Sequence, residues 1–509
     1  MNPSSKIKTL EELKGVVAAL RKRKKSLVQC HGVFDLIHPG HVRHFAMAKK
    51  EGDVLIVTIT SDRHVRKGPG RPYFNERLRA EQLAALQDVD YVAVLDHPTA
   101  VEGILAIRPD VYAKGQDYRD ASRDVTGMIG EEESAVRSCS GRLHFTDEIT
   151  FSSSGLINTA FEVYPPETVK YLKLLARRHS IEEVRARLSE LSKLKVLVIG
   201  DAIIDQYHYC RAMDRSSKES LVVHRYLSDE SFAGGALAVA NHVAELCGQV
   251  DLVSVLGSAD PYESFIRSKL GPRVRPRFFR RHGCPTTIKR RFVSDDSSKK
   301  VFEICYMDDT PISGAEEEVV RRFLDRQAGR YDLVIVADYG HGLMTPAVIR
   351  TLSRRARYLT LNVQTNSANL GFNLVTKYPK ADFVCIDEKE LRLATHDKHG
   401  PIQSLVKRVQ SQLRPKAMVV TRGVAGSIAY APGTGFQDAP ALSFQVVDKV
   451  GAGDAFYSFA APCVRAGFSA DLVSFIGNAA GSIAVQIVCN RQPVKQVDLI
   501  KFMTRLLKI

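Results

Sequence analysis

Short apolar runs alternate with longer amphipathic stretches along most of this chain. The runs VLIVTIT (54–60), YVAVL (91–95), KVLVIG (195–200), DLVSVLG (251–257), DLVIVAD (332–338), ADFVCI (381–386) and AMVVT (417–421) are rich in Val, Ile and Leu. Apolar runs this short predict strands buried on both faces. Helical periodicity separates most of them. Strand and helix in alternation predict parallel sheets joined by crossover helices, so the fold class is α/β.

One interruption divides the pattern. The stretch beginning VYPPETVKYL carries Pro165-Pro166 and continues as two charged amphipathic helices before KVLVIG restarts a strand. The expected organisation is an N-terminal helix over 1–25, a first α/β domain over 26–165, a helical linker over 166–194 and a second α/β domain over 195–509. A length of 509 residues accommodates that division.

Charge sharpens it. Lys and Arg total 72 against 57 Asp and Glu, a net +15. Residues 1–165 hold 23 basic and 22 acidic residues, so nearly all the excess lies beyond them. A basic chain invites nucleic acid, membrane or anionic small molecules as partners. No aromatic-rich basic stripe supports nucleic acid, and the run Arg21–Lys25 reads as the solvated end of the first helix. No stretch approaches the ~20 apolar residues that span a bilayer. The N-terminus lacks the apolar core of a secretory signal. Nine cysteines without a Cys-x-x-Cys pair predict a reduced, cytoplasmic protein with no zinc site.

Two constellations carry candidate chemistry. The first is HGVFDLIHPGH (31–41), placed after the apolar run SLVQC and before a helical stretch. Two imidazoles three residues apart, His38 and His41, converge at such a strand-to-helix turn. The helix start adds free N–H groups and a positive dipole end, and Gly40 permits close approach of a phosphate. The tetrapeptide alone would be weak, since isolated histidines are usually structural.

Its surroundings resemble the nucleotidylyltransferase superfamily that carries an H-x-G-H motif in a Rossmann-like sheet. The similarity extends through Lys49, Thr60-Ser61-Asp62, RPYFNERLRAEQLAAL, VYAKGQDY and Phe151-Ser152-Ser153-Ser154, covering about 26–162. The resemblance implies that His38 and His41 hold a nucleoside triphosphate. Phe34, Asp35, Gly40, Gly115 and Asp117 would shape the nucleotide pocket. Lys49 and Arg77 would add charge, and Ser152, Ser153 and Ser154 would donate hydrogen bonds to phosphate. A sugar phosphate would attack the α-phosphate and pyrophosphate would leave; the nucleophile is already an anion, so positioning and charge neutralisation are what the site must supply.

The second constellation is DKVGAGDAFYSF (448–459). Gly-Ala-Gly leading into a helix presents successive N–H groups to an anion, and the Asp after it can take a proton from a hydroxyl. Standing alone it reads equally as a glycine-rich loop with a capping Asp. Across about 195–509, however, the chain resembles the ribokinase-like (PfkB) sugar kinases, with a small β lid. The other landmarks are Gly200-Asp201 with Asp205, Gly234-Gly235, Asp338-Tyr339-Gly340, Thr421-Arg422-Gly423 and NAAGSIAV (478–485).

That resemblance makes Asp454 the catalytic base and Gly451, Ala452 and Gly453 the anion hole. Thr421, Arg422, Gly423 and Asn478 would lie along ATP. Asp201, Asp205, Gly234 and Gly235 would meet the sugar. Lys289 and Arg291, in TTIKRRFVSDDSSKK, would face a phosphorylated sugar or else lie on a solvated strand edge. Mg²⁺ would be bridged mainly by nucleotide phosphates, with Glu390 the candidate protein ligand. Four positions depart from the family pattern: Ala238 for Asn, Asn362 where an Asp is expected, Asp387 opening the Asn-x-x-Glu element, and Lys449 for a small residue.

The whole chain resembles bifunctional enzymes joining a heptose 7-phosphate kinase to a heptose 1-phosphate nucleotidylyltransferase, with the domain order reversed. The expectation is a cytoplasmic two-step enzyme. Its C-terminal domain would phosphorylate the anomeric hydroxyl of a heptose 7-phosphate or similar sugar phosphate with ATP. Its N-terminal domain would transfer AMP from ATP, or the nucleotide of CTP or GTP, to a sugar 1-phosphate. Partners would be small molecules, with dimerisation through the lid and neither nucleic acid nor membrane. Two other readings stay open: an alditol- or pentose-phosphate cytidylyltransferase fused to a different sugar kinase, and an active transferase carrying a degenerate, regulatory kinase-like domain.

Overall fold

A computed structural model describes residues 3–116, 129–146, 164–215, 219, 221–260, 262–296, 299–443 and 445–508. The chain forms two compact units, one of Met1–Lys173 with Ile500–Ile509, the other of Leu174–Leu499.

The first unit is built on a six-stranded sheet in the spatial order Ile7–Lys8, Tyr91–Leu95, Val54–Thr60, Leu27–Gly32, Val111–Gly115, Arg142–Thr146. Every pairing is parallel. The run VLIVTIT is buried at all seven positions, as a central strand covered on both faces requires. Helix Leu10–Lys22 starts with a capping box, in which Thr9 accepts from Glu12 N while the Glu12 side chain accepts from Thr9 N. Leu13 and Val17 of this helix are buried in a core with Leu27, Ile56 and Ile107. The end of the chain also belongs to this unit, with Phe502, Met503 and Leu506 buried.

The second unit has a nine-stranded sheet. Its order is Val274–Arg281, Gln249–Gly257, Lys195–Gly200, Leu333–Asp338, Leu359–Val363, Phe383–Asp387, Ala417–Thr421, Ser427–Ala431, Gly435–Ala439. The first seven are parallel and the last two close it antiparallel. A separate four-stranded sheet runs Lys300–Tyr306, Ile288–Ser294, Ala202–Arg215, Val222–Gly235. The strand order of the large sheet reverses beside Lys195–Gly200, and clefts in open parallel sheets form at the carboxyl ends of strands near such reversals.

The stretch expected as a linker forms helices Pro166–Arg178 and Ile181–Glu190. Leu172, Leu175, Val184 and Leu188 bury their apolar faces. Among the described residues no helix is long and apolar enough to cross a membrane.

Candidate functional site

In the first unit, strand Leu27–Gly32 ends in a turn in which Phe34 takes a left-handed φ of 48°. His38 then occupies the N-cap of helix Pro39–Lys49, with Pro39 at its first position. The rings of His38 and His41 stack with centroids 3.9 Å apart, and Phe34 meets His41 edge-on at 5.2 Å. Gly40 is buried in the first turn. The pair expected from the sequence therefore exists, at a helix N-terminus. Burial, followed by the charges of His38, His44 and Lys67, lowers the His41 pKa to about 3. A neutral imidazole at pH 7 donates a hydrogen bond to phosphate without a net charge to desolvate.

Asp35 is buried and fully engaged. It accepts from Arg71 Nη1 at 2.8 Å, Tyr73 N at 2.7 Å and Phe74 N at 3.0 Å. Its carboxylate thus organises loop 71–74, a positioning role in place of the expected nucleotide contact. Lys114 is also buried, pairing with Glu132 at 2.6 Å, and Gly115 ends its strand next to it.

Two expected contacts are corrected. Lys49 lies in the last turn of its helix, about 12 Å along the axis from His41 at the usual rise. It bonds to Asp53 O and Asp90. Arg77 is 86% exposed and pairs with Glu81 one turn on. The helix phase turns Arg79 inward instead: fully buried, it donates to Phe74 O, Val33 O, Thr60 O and Asp62. That one guanidinium ties together two strand ends beside the histidines. Arg77 and Arg79 lie two positions apart in one helical stretch, and residue type alone does not reveal which of them faces inward. Asp117, Ser152, Ser153 and Ser154 lie outside the described residues.

In the second unit a cleft of about 580 Å³ opens at the carboxyl ends of the strands. It gathers Asp205, Gly235, Lys289, Arg291, Thr421, Gly423, Gly451, Ala452, Gly453, Asp454 and Asn478, all expected from the sequence. Gly451 has a φ of 86° and caps helix Ala452–Arg465. A Cβ there would sit 2.3 Å from Asn490 Oδ1, so this turn requires glycine. The first turn of this helix lines the cleft beside Asp454; Ala452 N donates to Lys449 O at 3.4 Å, while Gly453 N and Asp454 N have no intrahelical partner.

Asp454 Oδ1 accepts from Tyr339 Oη at 2.8 Å and from Gln364 Nε2 at 2.6 Å. Burial raises its pKa to about 6, against the lowering effect of those two bonds. Neither donor was foreseen. Gln364 also donates to Asn362 Oδ1, and Asn362 Nδ2 donates to Cys385 O at 2.8 Å. The departure at Asn362 is thus part of the hydrogen-bond network that orients Asp454. Ala238 is buried within helix Ala236–Val243. Asp387 caps helix Glu388–Thr395 in a reciprocal box with Glu390. Glu390 lines the cleft, and burial raises its pKa to about 7. Lys449 lines the cleft as well.

Arg291 is committed: its Nη1 lies 2.5 Å from Asp205 and its Nε 2.6 Å from Glu303. Lys289 has no ion pair among the described residues, so it is the lysine available to an anion on that wall. Asp201, Gly234 and Arg422 do not line the cleft. Asp201 accepts from Tyr339 N and His341 N, holding the turn that delivers Tyr339. Gly234 makes room for Asp205, whose Oδ2 a Cβ would meet at 2.0 Å. Arg422 pairs with Glu388 at 3.3 Å. Asp448 opens the glycine motif, but the sequence assigns it no role. It accepts from Tyr207 Oη at 2.6 Å and pairs with Lys300 at 2.5 Å. Both partners come from the small sheet, which the motif does not announce.

Comparison with known proteins follows the same division. Residues 30–160 match the cytidylyltransferase-like family model, and residues 193–488 match the model of the pfkB family carbohydrate kinases. The "Bifunctional protein HldE" of Syntrophotalea carbinolica is 40% identical over 145 residues, 28% of this chain and 28% of that protein. Its namesake from Koribacter versatilis is 41% identical over 156 residues, 30% of this chain and 31% of that protein. The matched segment thus spans less than a third of the length of these curated relatives. An Arabidopsis thaliana ribokinase, solved with ribose and ATP, aligns over 62% of this chain and 99% of its own at 20% identity, with a TM-score of 0.47. The pfkB match covers more than half of the chain, and the chain belongs to the pfkB family of carbohydrate kinases, with a cytidylyltransferase-like domain ahead of the kinase fold.

Proposed function

We propose that the chain is a bifunctional sugar-activating enzyme of the cytoplasm. Its C-terminal unit transfers the γ-phosphate of ATP to the anomeric hydroxyl of a heptose 7-phosphate or a similar sugar phosphate. Its N-terminal unit joins a sugar 1-phosphate to AMP from ATP, releasing pyrophosphate. The observation that carries the kinase half is Asp454: a buried carboxylate with one oxygen fixed by Tyr339 and Gln364, standing at the glycine-capped helix start. The other oxygen takes the proton of the attacking hydroxyl. The N–H groups after Gly451 meet the charge that develops on the transferred phosphoryl group. Lys289, which also lines the cleft within electrostatic reach of Asp454, suits a second phosphate on the sugar.

For the transferase half, support comes from the stacked His38 and His41 at a helix N-terminus and from the HldE relatives. Their printed name, a bifunctional protein, also favours the two-step reading over an unrelated pair of domains. A merely regulatory kinase-like half is disfavoured by the retained base and anion hole.

The cleft offers a divalent cation one half-buried carboxylate, Glu390, with which no lysine or arginine pairs among the described residues. Its oxygens accept from Thr365 N and Asp387 N, and no cluster of three metal-ligating side chains occurs among the described residues, so nucleotide phosphates would hold most of the ion. When bound with the nucleotide, Mg²⁺ supplies neutralisation of phosphate charge; the chain's own part is to orient and deprotonate the hydroxyl.

The test is incubation of the chain with a panel of sugar phosphates and all four nucleoside triphosphates, with products read by mass. A heptose 7-phosphate gaining one phosphoryl group and a heptose 1-phosphate gaining AMP are expected. Use of CTP alone with an alditol or pentose phosphate would select the cytidylyltransferase alternative.

A further inference from the structure

The last helix, Gln496–Leu507, ends in the first unit, where residues from Ile500 onward are packed. Arg505 is 3% exposed there. Its Nη1 donates to Pro69 O at 2.9 Å and its Nη2 to Tyr164 Oη at 2.6 Å. Phe502 fills the space over Gly68, where a Cβ would stand 2.3 Å from the ring at a φ of +87°. The contacts with Gly68 and Pro69 fall on one loop, residues 66–72, which carries Lys67 and Arg71.

That loop faces the histidine site. Arg71 Nη1 bonds Asp35, while its Nη2 is buried with no hydrogen-bond partner among the described residues. Lys67 lies within electrostatic reach of His41 and of Asp35. Lys501 and Lys508, from the chain's end, act on Lys67 in turn. Several cations thus crowd one buried carboxylate. Such a surplus of positive charge is costly to hold together unless an anion enters, and a triphosphate is an anion of matching charge.

We propose that segment Ile500–Lys508 is a positioning element of the nucleotidyl-transfer site. Phe502 and Arg505 hold loop 66–72 so that Lys67 and Arg71 meet the phosphates of a nucleoside triphosphate lying on His38 and His41. This rests on the transferase reading given above. Arg505 touches no reacting atom and acts through the loop. Its loss therefore weakens nucleotide binding more than it affects the sugar phosphate.

The experiment uses the full chain, with pyrophosphate release from ATP and heptose 1-phosphate as the main readout. Arg505→Ala should raise KM for ATP about tenfold or more while KM for the sugar phosphate changes little. Arg505→Lys should recover part of the loss. Gly68→Ala, which strikes the loop from its own side without removing a buried charge, should reproduce it. Phosphoryl transfer to heptose 7-phosphate, read in the same samples, should stay at the parent level. An Arg505→Ala KM for ATP equal to the parent's, or equal rises in both KM values, overturns the proposal and leaves the transferase reading intact. No pyrophosphate release from the parent chain overturns the transferase reading instead. Amide exchange in 66–72 then decides the positioning role: protection lost in Arg505→Ala supports it, and unchanged protection overturns it.

Discussion

Asp454 has one carboxylate oxygen bound by Tyr339 and Gln364, and the described residues give the other no hydrogen bond. Two donors on one oxygen fix the direction of the remaining lone pairs. Burial works against them and raises the pKa to about 6. A base must be ionised to accept a proton, so activity requires a pH above that value. The kinase kcat/KM should therefore be flat near pH 7.5 and fall about tenfold per unit below pH 6. A steady-state pH profile checks this; a limb displaced to pH 4 would mean that Asp454 is not the titrating base. The same scale shows why some site residues escaped the sequence. Tyr339 follows a motif Asp, yet nothing in the order of residues says that its hydroxyl reaches residue 454. Gln364 occupies a stretch that was noted only for a missing Asp.

At the scale of elements, the glycine turn and the helix behind it act together. Gly451→Ala puts a Cβ against Asn490 at a φ that L side chains rarely adopt. The turn must then move, and with it the N–H groups of the helix start, the anion hole proposed above. The expected result is a fall in phosphoryl-transfer kcat of about a hundredfold, with circular dichroism unchanged; a parent-like kcat would contradict the role given to this turn. The elements themselves were largely legible. Strands such as Val54–Thr60 and Leu333–Asp338 are apolar at nearly every position because both faces are covered. The small sheet was not legible in the same way. Strand Lys300–Tyr306 is exposed at every position although five residues of its sequence KVFEICY are apolar, so apolar character does not report burial there. Lys49 and Arg77 were misplaced for a related reason: a cation at the far end or on the outer face of a helix looks the same in sequence as one at the site.

At the scale of the whole molecule, the two units should respond to acid differently. In the first unit, burial lowers the pKa of His31 and His41 to about 3 and of His44 to about 4. These rings stay neutral when folded and become protonated when unfolded below about pH 6.5. Their contribution to stability is thus present above 6.5 and is lost as pH falls toward 4. In the second unit Asp201 and Asp454 are raised to about 6 and Glu390 to about 7. Raised carboxyls contribute below their unfolded pKa and lose that contribution as pH rises through 6 to 7. This opposes the effect of its own buried His242 and His341. Amide exchange, corrected for its intrinsic pH dependence, should show strand Leu27–Gly32 losing protection between pH 6.5 and 4.5 more steeply than strand Leu333–Asp338. Equal losses would contradict the burial of the histidines.

The central claim is that one chain houses two separable phosphate chemistries. It is tested most directly by mass analysis of products made by the parent chain, Asp454→Asn and His41→Ala from ATP with heptose 7-phosphate or with heptose 1-phosphate. The account predicts that Asp454→Asn loses only the added phosphoryl group and His41→Ala loses only the added AMP. Loss of both products in either variant, or of neither, would contradict it.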